Sequence, residues 1–463
     1  MAHSKADAEA ATNSPYSLAL RPLWATFKAE GFAFWMICAY IMMEFVRPQA
    51  IYPWLDIFPW TRSFIILAIV GHFFFDKGRP SRDAYNVILP LFLLTTIISC
   101  VAAYNPGVAF TAFSEVYSWV VVYFAVTTVV NTERRLWLFT LFFFLACAKL
   151  SIFCADVWAT RGFSFASWGV SGPPGYFQNS GELSLLMCMF FSMSYALWYA
   201  IKPYLNAVRS WVLLSLPITA AMTVLASSTR GSQIALLVQI VYFAAFFKRL
   251  SFKYILYTSA VGYLIYLLLP PEQLARFQTA GTDETSVARL TYWKKGMDML
   301  ADHPFTGVGL GNFPRYFHDF YPAFSFHNRL EVAHNSFVQI GSELGYPGLI
   351  LFVLIILRSF FVTARARKIL RAKQQIGHWL YTFSVGLDCA MIGYCIGGFF
   401  MAVAFYPYVW IHIAFCVSLR AAANSLSSSQ EATANAAPTA SKRNRYPTYG
   451  ETVQRVLEST RRE

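Results

Sequence analysis

The chain has 463 residues, of which 57% are hydrophobic and 13% are charged, whereas ordinary soluble domains carry about 25% charged residues. Its apolar residues form blocks long enough to cross a bilayer, which takes about 20 residues, and this excludes a soluble globular protein. The formal net charge of +13 is compatible with binding to nucleic acid or anionic lipid. In a membrane protein, however, Lys and Arg collect in cytoplasmic loops, and topology explains most of these charges.

The predicted elements begin with a mixed polar cytoplasmic tail over residues 1–30, which lacks the short apolar core and cleavage site of a signal peptide. A transmembrane bundle of about nine spans is predicted over 31–270, and further spans over 343–420 bring the total to about twelve. Because backbone groups in lipid must be hydrogen-bonded internally, the spans are predicted to be helices, and the fold class is all-α and polytopic. Residues 421–463 are rich in Ala, Ser, Thr and Asn and are predicted to be a disordered cytoplasmic tail.

The distribution of basic residues predicts the orientation of this bundle. If the N-terminus is cytoplasmic, sixteen Lys and Arg residues lie in cytoplasmic loops, in clusters within 77–82, 134–135, 202–209, 248–253 and 358–373. Four arginines lie in short loops on the other side, namely Arg47, Arg62, Arg161 and Arg230. This bias follows the positive-inside rule and predicts that both termini are cytoplasmic.

One connection on the predicted periplasmic side, residues 271–342, is far longer than a usual loop. It contains TSVARLTYWKKGMDMLADHP (285–304), whose spacing predicts a helix that ends at His303 and Pro304. The predicted apolar face consists of Val287, Leu290, Trp293, Met297 and Leu300. Further along, SELGYPG (342–348) predicts a turn that returns the chain to the membrane. The aromatic content of the connection indicates a structured, functional loop rather than a linker.

Three side chains on the predicted periplasmic side are candidates for chemistry. Arg230 stands in SSTRGSQ, between two apolar blocks with almost no loop, where an ionisable residue is a functional candidate by default; a snorkelling arginine is the alternative. Arg289 lies on the predicted loop helix, where a solvated helix face is an equal alternative. His334 could exchange a proton near neutral pH, or it could be only the neighbour of Asn335 and Ser336, which could cap the next helix.

Two arginines on one face of a membrane would suit a diphosphate, because guanidinium groups bind phosphate oxygens bidentately and keep their charge. GVGLGN (307–312) is not a phosphate loop, since it follows no strand and lacks a GK[ST] ending; its glycines predict a tight turn. The outer loops contain no DxD, no HExxH and no carboxylate cluster, which argues against a metal-dependent transferase. The eight cysteines form no CxxC pair and are predicted to be small hydrophobic core residues.

HPFTGVGLGNF (303–313), followed by AHNSFVQIGSELGYPGLILFVL (333–354), resembles the signature of the O-antigen ligase and O-antigen polymerase superfamily of bacterial inner-membrane enzymes. SSTRGSQIAL (227–236) and SVARLTYWKKGMDML (286–300) are similar to the two arginine-bearing segments of that family. YFQNSGELS resembles the segment before its middle spans. The similarity extends over roughly residues 180–420.

The resemblance implies a polytopic helical bundle with a large periplasmic loop, similar to C-type glycosyltransferases, in the inner membrane with the active site facing the periplasm. It implies metal-independent, inverting transfer of a glycan from undecaprenyl diphosphate to an acceptor hydroxyl, such as that of lipid A-core, without a cofactor. Matched segment by segment, His334 would act at the acceptor hydroxyl as general base or orienting group, and Arg230 and Arg289 would hold the donor diphosphate. Possible supporting residues are Asn335, Glu343, His303, Gln178 and Asn179.

Ligases and polymerases share these motifs, so a polymerase that joins two lipid-linked glycans is the alternative function. EFVRPQAIYP (44–53) is similar to a subgroup of ligase-like proteins but does not identify the acceptor, which could be lipid A-core, a growing polysaccharide, a cell-wall polymer or a protein hydroxyl. The expected partners are the lipid-linked donor, an acceptor glycolipid or glycan, and membrane lipids, but not nucleic acid. A transporter is a further alternative, although transporters usually carry charged or broken helices near the midplane in matching halves, and the chain shows no such halves.

Overall fold

The structure, a computed structural model, describes residues 16–76, 81–164, 169–247, 283–324 and 330–435, and the regular structure in these ranges is helical. The α-helices of the described ranges are α1 (Leu20–Lys28), α2 (Phe32–Val46), α3 (Pro48–Ile51), α4 (Trp60–Phe75), α5 (Tyr85–Val101), α6 (Pro106–Val129), α7 (Glu133–Thr160), α8 (Ser180–Ile201), α9 (Ala207–Ala226), α10 (Arg230–Phe246), α11 (Glu284–Asp302), α12 (Phe313–Phe320), α13 (Ser336–Ala372), α14 (Trp379–Gly398) and α15 (Pro407–Asn435). Short 3-10 turns lie at Pro53–Leu55, Lys202–Tyr204 and Pro322–Phe324.

Eight of the described helices are long and apolar enough to cross a bilayer, and α5 and α10 are shorter apolar helices. The eight are α4 with the turn before it, α6, α7, α8, α9, α13, α14 and α15. The prediction of an all-helical, multi-pass membrane protein is therefore confirmed. The last part of the bundle predicted over 31–270, residues 248–270, lies outside the described residues, so the total of about twelve spans stays a prediction.

The centre of the bundle is formed by α8, α14 and α15, which are buried along most of their length, whereas α4 and α9 expose most of theirs. Small residues let the central helices approach each other closely. A Cβ added to Gly386 of α14 would stand 2.5 Å from the Cβ of Ala196 on α8. Lipid tails are as apolar as leucine, so the hydrophobic effect does not drive helices together within a bilayer. Close van der Waals packing of this kind holds them together instead.

The cysteines lie within this packed bundle. All eight are free thiols, and all except Cys395 are buried. Cys389, for example, accepts a hydrogen bond from Ser192 Oγ at 3.3 Å between α14 and α8. The prediction that the cysteines are small core residues is confirmed.

Buried ion pairs join the helices at the end of the bundle where α7 begins and α13 finishes, here called the opposite end. Asp83, in the turn before α5, pairs with Arg358 of α13 at 3.0 Å and with Arg420 of α15. Glu30 pairs with Arg135 of α7 at 2.7 Å. Arg135 and Arg358 belong to the segments predicted to be cytoplasmic. Because the acids and bases compensate each other's charge, these groups hold the helices together.

Two helix boundaries differ from the predicted ones. The sequence predicts that spans resume at residue 343, but the chain is already helical from Ser336, and α13 continues to Ala372. The last helix runs to Asn435, beyond residue 421, where the tail is predicted to begin. Ser and Ala, which dominate this stretch, are compatible with a helix, so composition alone places the boundary too early.

The predicted turn at SELGYPG is present as a kink, where two helical parts of α13 meet. Gly345 has φ 70° and ψ −174°, a conformation that is essentially restricted to glycine. Pro347, two residues later, has no N–H for a helical hydrogen bond. The N–H of Tyr346 bonds the carbonyl of Pro304 at 2.8 Å instead. The glycine and the proline therefore interrupt the helical geometry of α13 beside the end of α11.

The predicted loop helix is present as α11, but the face that it buries is not the predicted one. Leu300 is buried as expected, whereas Val287, Leu290 and Met297 are exposed. The buried face also contains Ala288, Tyr292, Gly296 and Met299. These residues pack against α12 and the start of α13. Gly296 permits this approach, because a Cβ there would stand 2.3 Å from Val338 Cγ1.

Replacing Gly345 with alanine is expected to lower the thermal stability of the protein strongly. The new Cβ would stand 2.7 Å from the Pro304 carbonyl oxygen, and the backbone conformation adds about 1–3 kcal/mol of strain. The loss of monodisperse protein on heating in detergent measures the effect. Gly341→Ala is the matched control in the same helix, because its Cβ would meet flexible leucine side chains, the nearest at 3.2 Å. Equal melting temperatures for the two variants would contradict this account of the kink.

Candidate functional site

Three helices begin side by side at the end of the bundle that carries α11 and α12, here called the loop end. The first turns of α8 and α10 are joined by a hydrogen bond of 2.6 Å from Ser184 Oγ to Ser232 Oγ. Ser336, the first residue of α13, hydrogen-bonds to the connection between α14 and α15, residues 399–406. The positive ends of three helix dipoles therefore converge on one region, and such ends favour anions.

Arg230 is the first residue of α10, and it is held by the start of α11. Its Nη2 pairs with Asp283 Oδ2 at 3.1 Å and lies 3.3 Å from Ser286 Oγ. Asp283 also caps α11 by accepting the backbone N–H of Ser286. Burial raises the pKa of the Asp283 carboxyl. Hydrogen bonds from Ser286 and Thr285 and the ion pair with Arg230 outweigh this effect and hold that pKa well below its ordinary value. Asp283 therefore stays ionised and fixes Arg230 in position.

Arg289 lies on α11, close enough to Arg230 for the two charges to repel each other. Burial and the charge of Arg230 lower the pKa of the Arg289 guanidinium, and Asp283 offsets only part of this effect. Within the described ranges, Arg289 has no hydrogen bond or ion pair. Asp283 thus acts on both guanidinium groups, and two neighbouring guanidinium groups are of the kind that bind an anionic ligand.

His334 stands immediately before the N-cap of α13 and packs on α11. Its ring is stacked on that of Tyr292, with centroids 6.2 Å apart, and its Nε2 lies 4.0 Å from Glu331 Oε2. The backbone of His334 is left-handed, with φ 47°, which is uncommon outside glycine although His, Asn and Asp adopt it more readily than other residues. Its side chain is 32% exposed. Backbone strain of this kind clusters at functional sites.

Asn335 and Ser336 hold the start of α13. Asn335 is the cap, as predicted, and its Oδ1 accepts the N–H groups of Phe337 and Val338 at 2.9 and 3.1 Å. The hydroxyl of Ser336 does not share this role, because it is buried against the 399–406 connection. Both residues therefore fix the backbone that carries His334.

Glu343 lies inside α13, about two turns beyond its start, where it organises the glycine-rich loop. Its carboxyl group is buried, with no hydrogen-bond partner for Oε2 within the described residues, and its carbonyl accepts the backbone N–H of Gly309 at 3.2 Å. A Cβ on Gly307 would stand 2.2 Å from the Glu343 carbonyl carbon. The loop thus packs on the backbone of α13 and gives its N–H groups at Val308 and Gly309 to carbonyls of that helix.

The other predicted supporting residues occupy separate places. Asn179 caps α8 by accepting a backbone N–H at 2.8 Å and so belongs to the converging helix starts. Gln178 is exposed. His303 ends α11 and lies 3.2 Å from the hydroxyl of Tyr316. It is fourteen residues beyond Arg289, about 21 Å along the helix axis, so the structure does not bring His303 to the arginines.

The main candidates come together along α11. Asp283, at the start of this helix, holds Arg230; Arg289 follows in the second turn; and Tyr292, one turn later, holds His334. Residues three positions apart are neighbours on a helix surface, and the helical rise places Tyr292 about 4.5 Å beyond Arg289 along the axis. The structure therefore gathers side chains from three separate segments beside one helix.

Residues 212–353 match the family model described as O-Antigen ligase. The matched stretch begins in α9, ends in α13 and contains Arg230, Arg289 and His334. The resemblance to the O-antigen ligase superfamily is thereby confirmed over this part of the chain, and the match is consistent with a glycosyltransferase-like activity. No curated protein matches the chain.

Asp283 and Tyr292, which contact Arg230 and His334 respectively, were not predicted from the sequence to belong to the site. Asp283 carried a usable signal, because an Asp directly before a helical pattern is a typical cap. The position of Tyr292 depends on packing and had no such signal.

As for metals, no group of three His, Cys, Asp or Glu side chains in the described ranges is placed to hold an ion.

Proposed function

We propose that the protein is a lipid-linked glycan ligase. It transfers a glycan from undecaprenyl diphosphate to an acceptor hydroxyl, such as one on lipid A-core, at the periplasmic face of the bacterial inner membrane. The family match over 212–353 supports glycan transfer, and a helical membrane bundle suits a lipid-linked substrate. The observation that carries the proposal is the approach of Arg230, at the start of α10, to Arg289 of α11, with the carboxylate of Asp283 acting on both guanidinium groups.

Arg230 and Arg289 are proposed to bind the diphosphate of the donor. Cleavage of the bond between the anomeric carbon and the phosphate oxygen leaves the electron pair, and hence negative charge, on undecaprenyl diphosphate. Cations that are already in place in a partly desolvated site stabilise such charge best. A bound diphosphate would also relieve the repulsion between the two guanidinium groups, which now lowers the pKa of the half-buried Arg289.

His334 is proposed to serve the acceptor. The acceptor oxygen attacks the anomeric carbon from the side opposite the diphosphate, so the configuration inverts, and the hydroxyl proton passes to the imidazole. One general base suffices for this single proton. The carboxylate of Glu331, 4.0 Å from His334 Nε2, would stabilise the imidazolium that forms.

A transfer assay tests the proposal. It uses the purified full-length protein in detergent, a defined glycan on undecaprenyl diphosphate and a panel of acceptors, and it is expected to give glycosylated acceptor with an equal amount of released undecaprenyl diphosphate. Failure to glycosylate any acceptor under conditions in which the donor binds would contradict it. The assay has one compartment, so product formation also excludes transport as the main activity.

The length of lipid-linked chains separates a ligase from a polymerase on the same scaffold. Loss of a ligase leaves long glycans that are still attached to the carrier lipid, whereas loss of a polymerase leaves single repeats. We expect cells that lack this protein to accumulate long unattached chains. Single repeats on the carrier would identify a polymerase instead.

A further inference from the structure

A polar cavity opens at the loop end between α2, α4 and α6. Its volume is about 360 Å³, within the range of about 300–1,000 Å³ that is usual for small-molecule sites. Its wall includes Arg47 and Gln49, from the segment EFVRPQAIYP (44–53), and Tyr176, from the segment before α8. All three lie outside the residues that match the ligase family, and the roles proposed above do not use them.

Four of the residues that line this cavity each carry a buried polar atom without a hydrogen-bond partner in the part of the chain that the structure describes. These atoms are Tyr40 Oη, Arg47 Nη1, Gln49 Oε1 and Trp119 Nε1. A buried donor or acceptor without a partner is costly, so such groups are normally satisfied by protein, water or a ligand. Their concentration around one cavity indicates a polar occupant.

The charges of the wall restrict what this occupant is. Two carboxylates, Glu44 and Glu115, face two guanidinium groups, Arg47 and Arg62. The carboxylates disfavour an anion, and the guanidinium groups disfavour a cation. The unpartnered atoms include donors, an acceptor and a hydroxyl that does both. A neutral molecule rich in hydroxyl groups satisfies this set, because each of its hydroxyls donates and accepts.

Aromatic rings complete the wall. Tyr176 and Trp119 meet edge to face, with centroids 5.9 Å apart, and the Arg47 guanidinium lies 5.3 Å from the centre of the Tyr176 ring. Arg47 has a left-handed backbone, φ 51°, which is strained for a residue with a side chain and is a feature of ligand sites. Aromatic walls with a few convergent polar groups are typical of small-molecule sites, and they suit the apolar C–H face of a sugar ring.

The cavity borders the helix starts that carry the candidate site. The ring of Tyr176 lies 5.2 Å from that of Tyr406, which belongs to the 399–406 connection. The hydroxyl of Tyr406 donates to Glu182 Oε1 in the first turn of α8 at 2.8 Å. Since α8 and α10 are joined at their first turns, the contacts of Tyr176 and Tyr406 link the wall of the cavity to the helix ends that carry Arg230.

We propose that this cavity is a carbohydrate subsite that binds a sugar residue through Tyr40, Gln49 and Trp119. The carbohydrate class follows from the charge balance and the unpartnered polar atoms. The further statement that this sugar belongs to the donor or acceptor glycan rests on the proposed function.

Saturation-transfer NMR on the full-length protein tests the binding step directly. The protein is held in an amphipol, which has no sugar headgroup, and is offered a panel of soluble disaccharides. We expect saturation transfer to at least one of them, with binding weakened about fivefold by Tyr40→Phe, Gln49→Leu or Trp119→Phe. Trp137→Phe is the matched control, since its indole N–H is also buried and unpartnered within the described residues but lies at the opposite end.

The outcomes separate this inference from the proposed function. No signal from any disaccharide, or equal signals from the cavity variants and the control, would overturn the subsite. Wild-type protein that binds a disaccharide but transfers no glycan to any acceptor would count against the ligase and not against the subsite. In the transfer assay, Gln49→Leu is expected to raise the KM for one substrate without changing kcat. That substrate, donor or acceptor, is the one whose sugar occupies the cavity.

Discussion

Replacing His334 with asparagine is expected to lower the rate of glycan transfer by about 10²–10⁴-fold, the usual contribution of a general base, without lowering thermal stability. Asparagine is chosen because it tolerates the left-handed backbone of this position, φ 47°, but cannot take up the acceptor proton. Alanine would add about 1–2 kcal/mol of strain and would confuse a catalytic loss with a structural one. The measurement pairs single-turnover transfer with a melting curve in detergent.

His318→Asn is the control for this experiment. His318 lies on α12 in the same region outside the bundle, is well exposed and has its Nδ1 3.0 Å from Asp319. Its replacement is expected to leave transfer unchanged. If His334→Asn also transferred glycan at the wild-type rate, His334 would not be the base, and its strained backbone would have only a structural role.

Replacing Arg289 with alanine is expected to weaken binding of undecaprenyl diphosphate at least roughly 30-fold, because loss of one partner of a buried charged pair costs about 2–5 kcal/mol. Arg289→Lys should restore little of this affinity, although it keeps the charge. An ammonium group lacks the planar fork that binds two phosphate oxygens at once. The affinity of each variant is measured by the rise in melting temperature that undecaprenyl diphosphate produces, and by the KM for the donor.

Arg315→Ala provides the comparison for the arginine variants. Arg315 is an exposed cation on α12 that pairs with Asp319 at 2.8 Å, and its loss is expected to leave donor binding intact. If undecaprenyl diphosphate raised the melting temperature of Arg289→Ala as much as that of the wild type, the guanidinium of Arg289 would not bind the donor diphosphate. If the wild-type rise in melting temperature were kept in Arg289→Lys but lost in Arg289→Ala, positive charge rather than bidentate geometry would be what binding requires.

Features that depend on neighbouring residues were predictable from the sequence. The low charge and the apolar blocks indicated a helical membrane protein because lipid leaves the backbone no other way to satisfy its hydrogen bonds. The helix of the long connection was found from its periodicity, and Asn335 from its position before an apolar run. Arg230 stood out because the connection between α9 and α10 is only residues 227–229.

Features that depend on packing were predicted less well. The buried face of α11 was assigned to Leu290 and Met297 from their hydropathy, but the close approach at Gly296 puts another face against α13. The glycine and proline of SELGYPG indicated a turn, yet the contact with Pro304 converts it into a kink. In a membrane protein hydropathy is a weak guide to such choices, because lipid and protein core are equally apolar.

Sequence motifs were enough to single out Arg230, Arg289 and His334 and to relate them to glycan ligases. Only the tertiary structure brought the two arginines together beside Asp283 and stacked the ring of His334 on that of Tyr292 from the same helix. Likewise, the sequence of residues 44–53 showed a family resemblance but did not indicate a binding site. The structure places residues of this segment in the wall of a polar cavity. The reason is physical. Helix caps and hydrophobic periodicity depend on residues that are close in sequence. The charge balance of a site is instead a sum over side chains that packing brings together from distant parts of the chain.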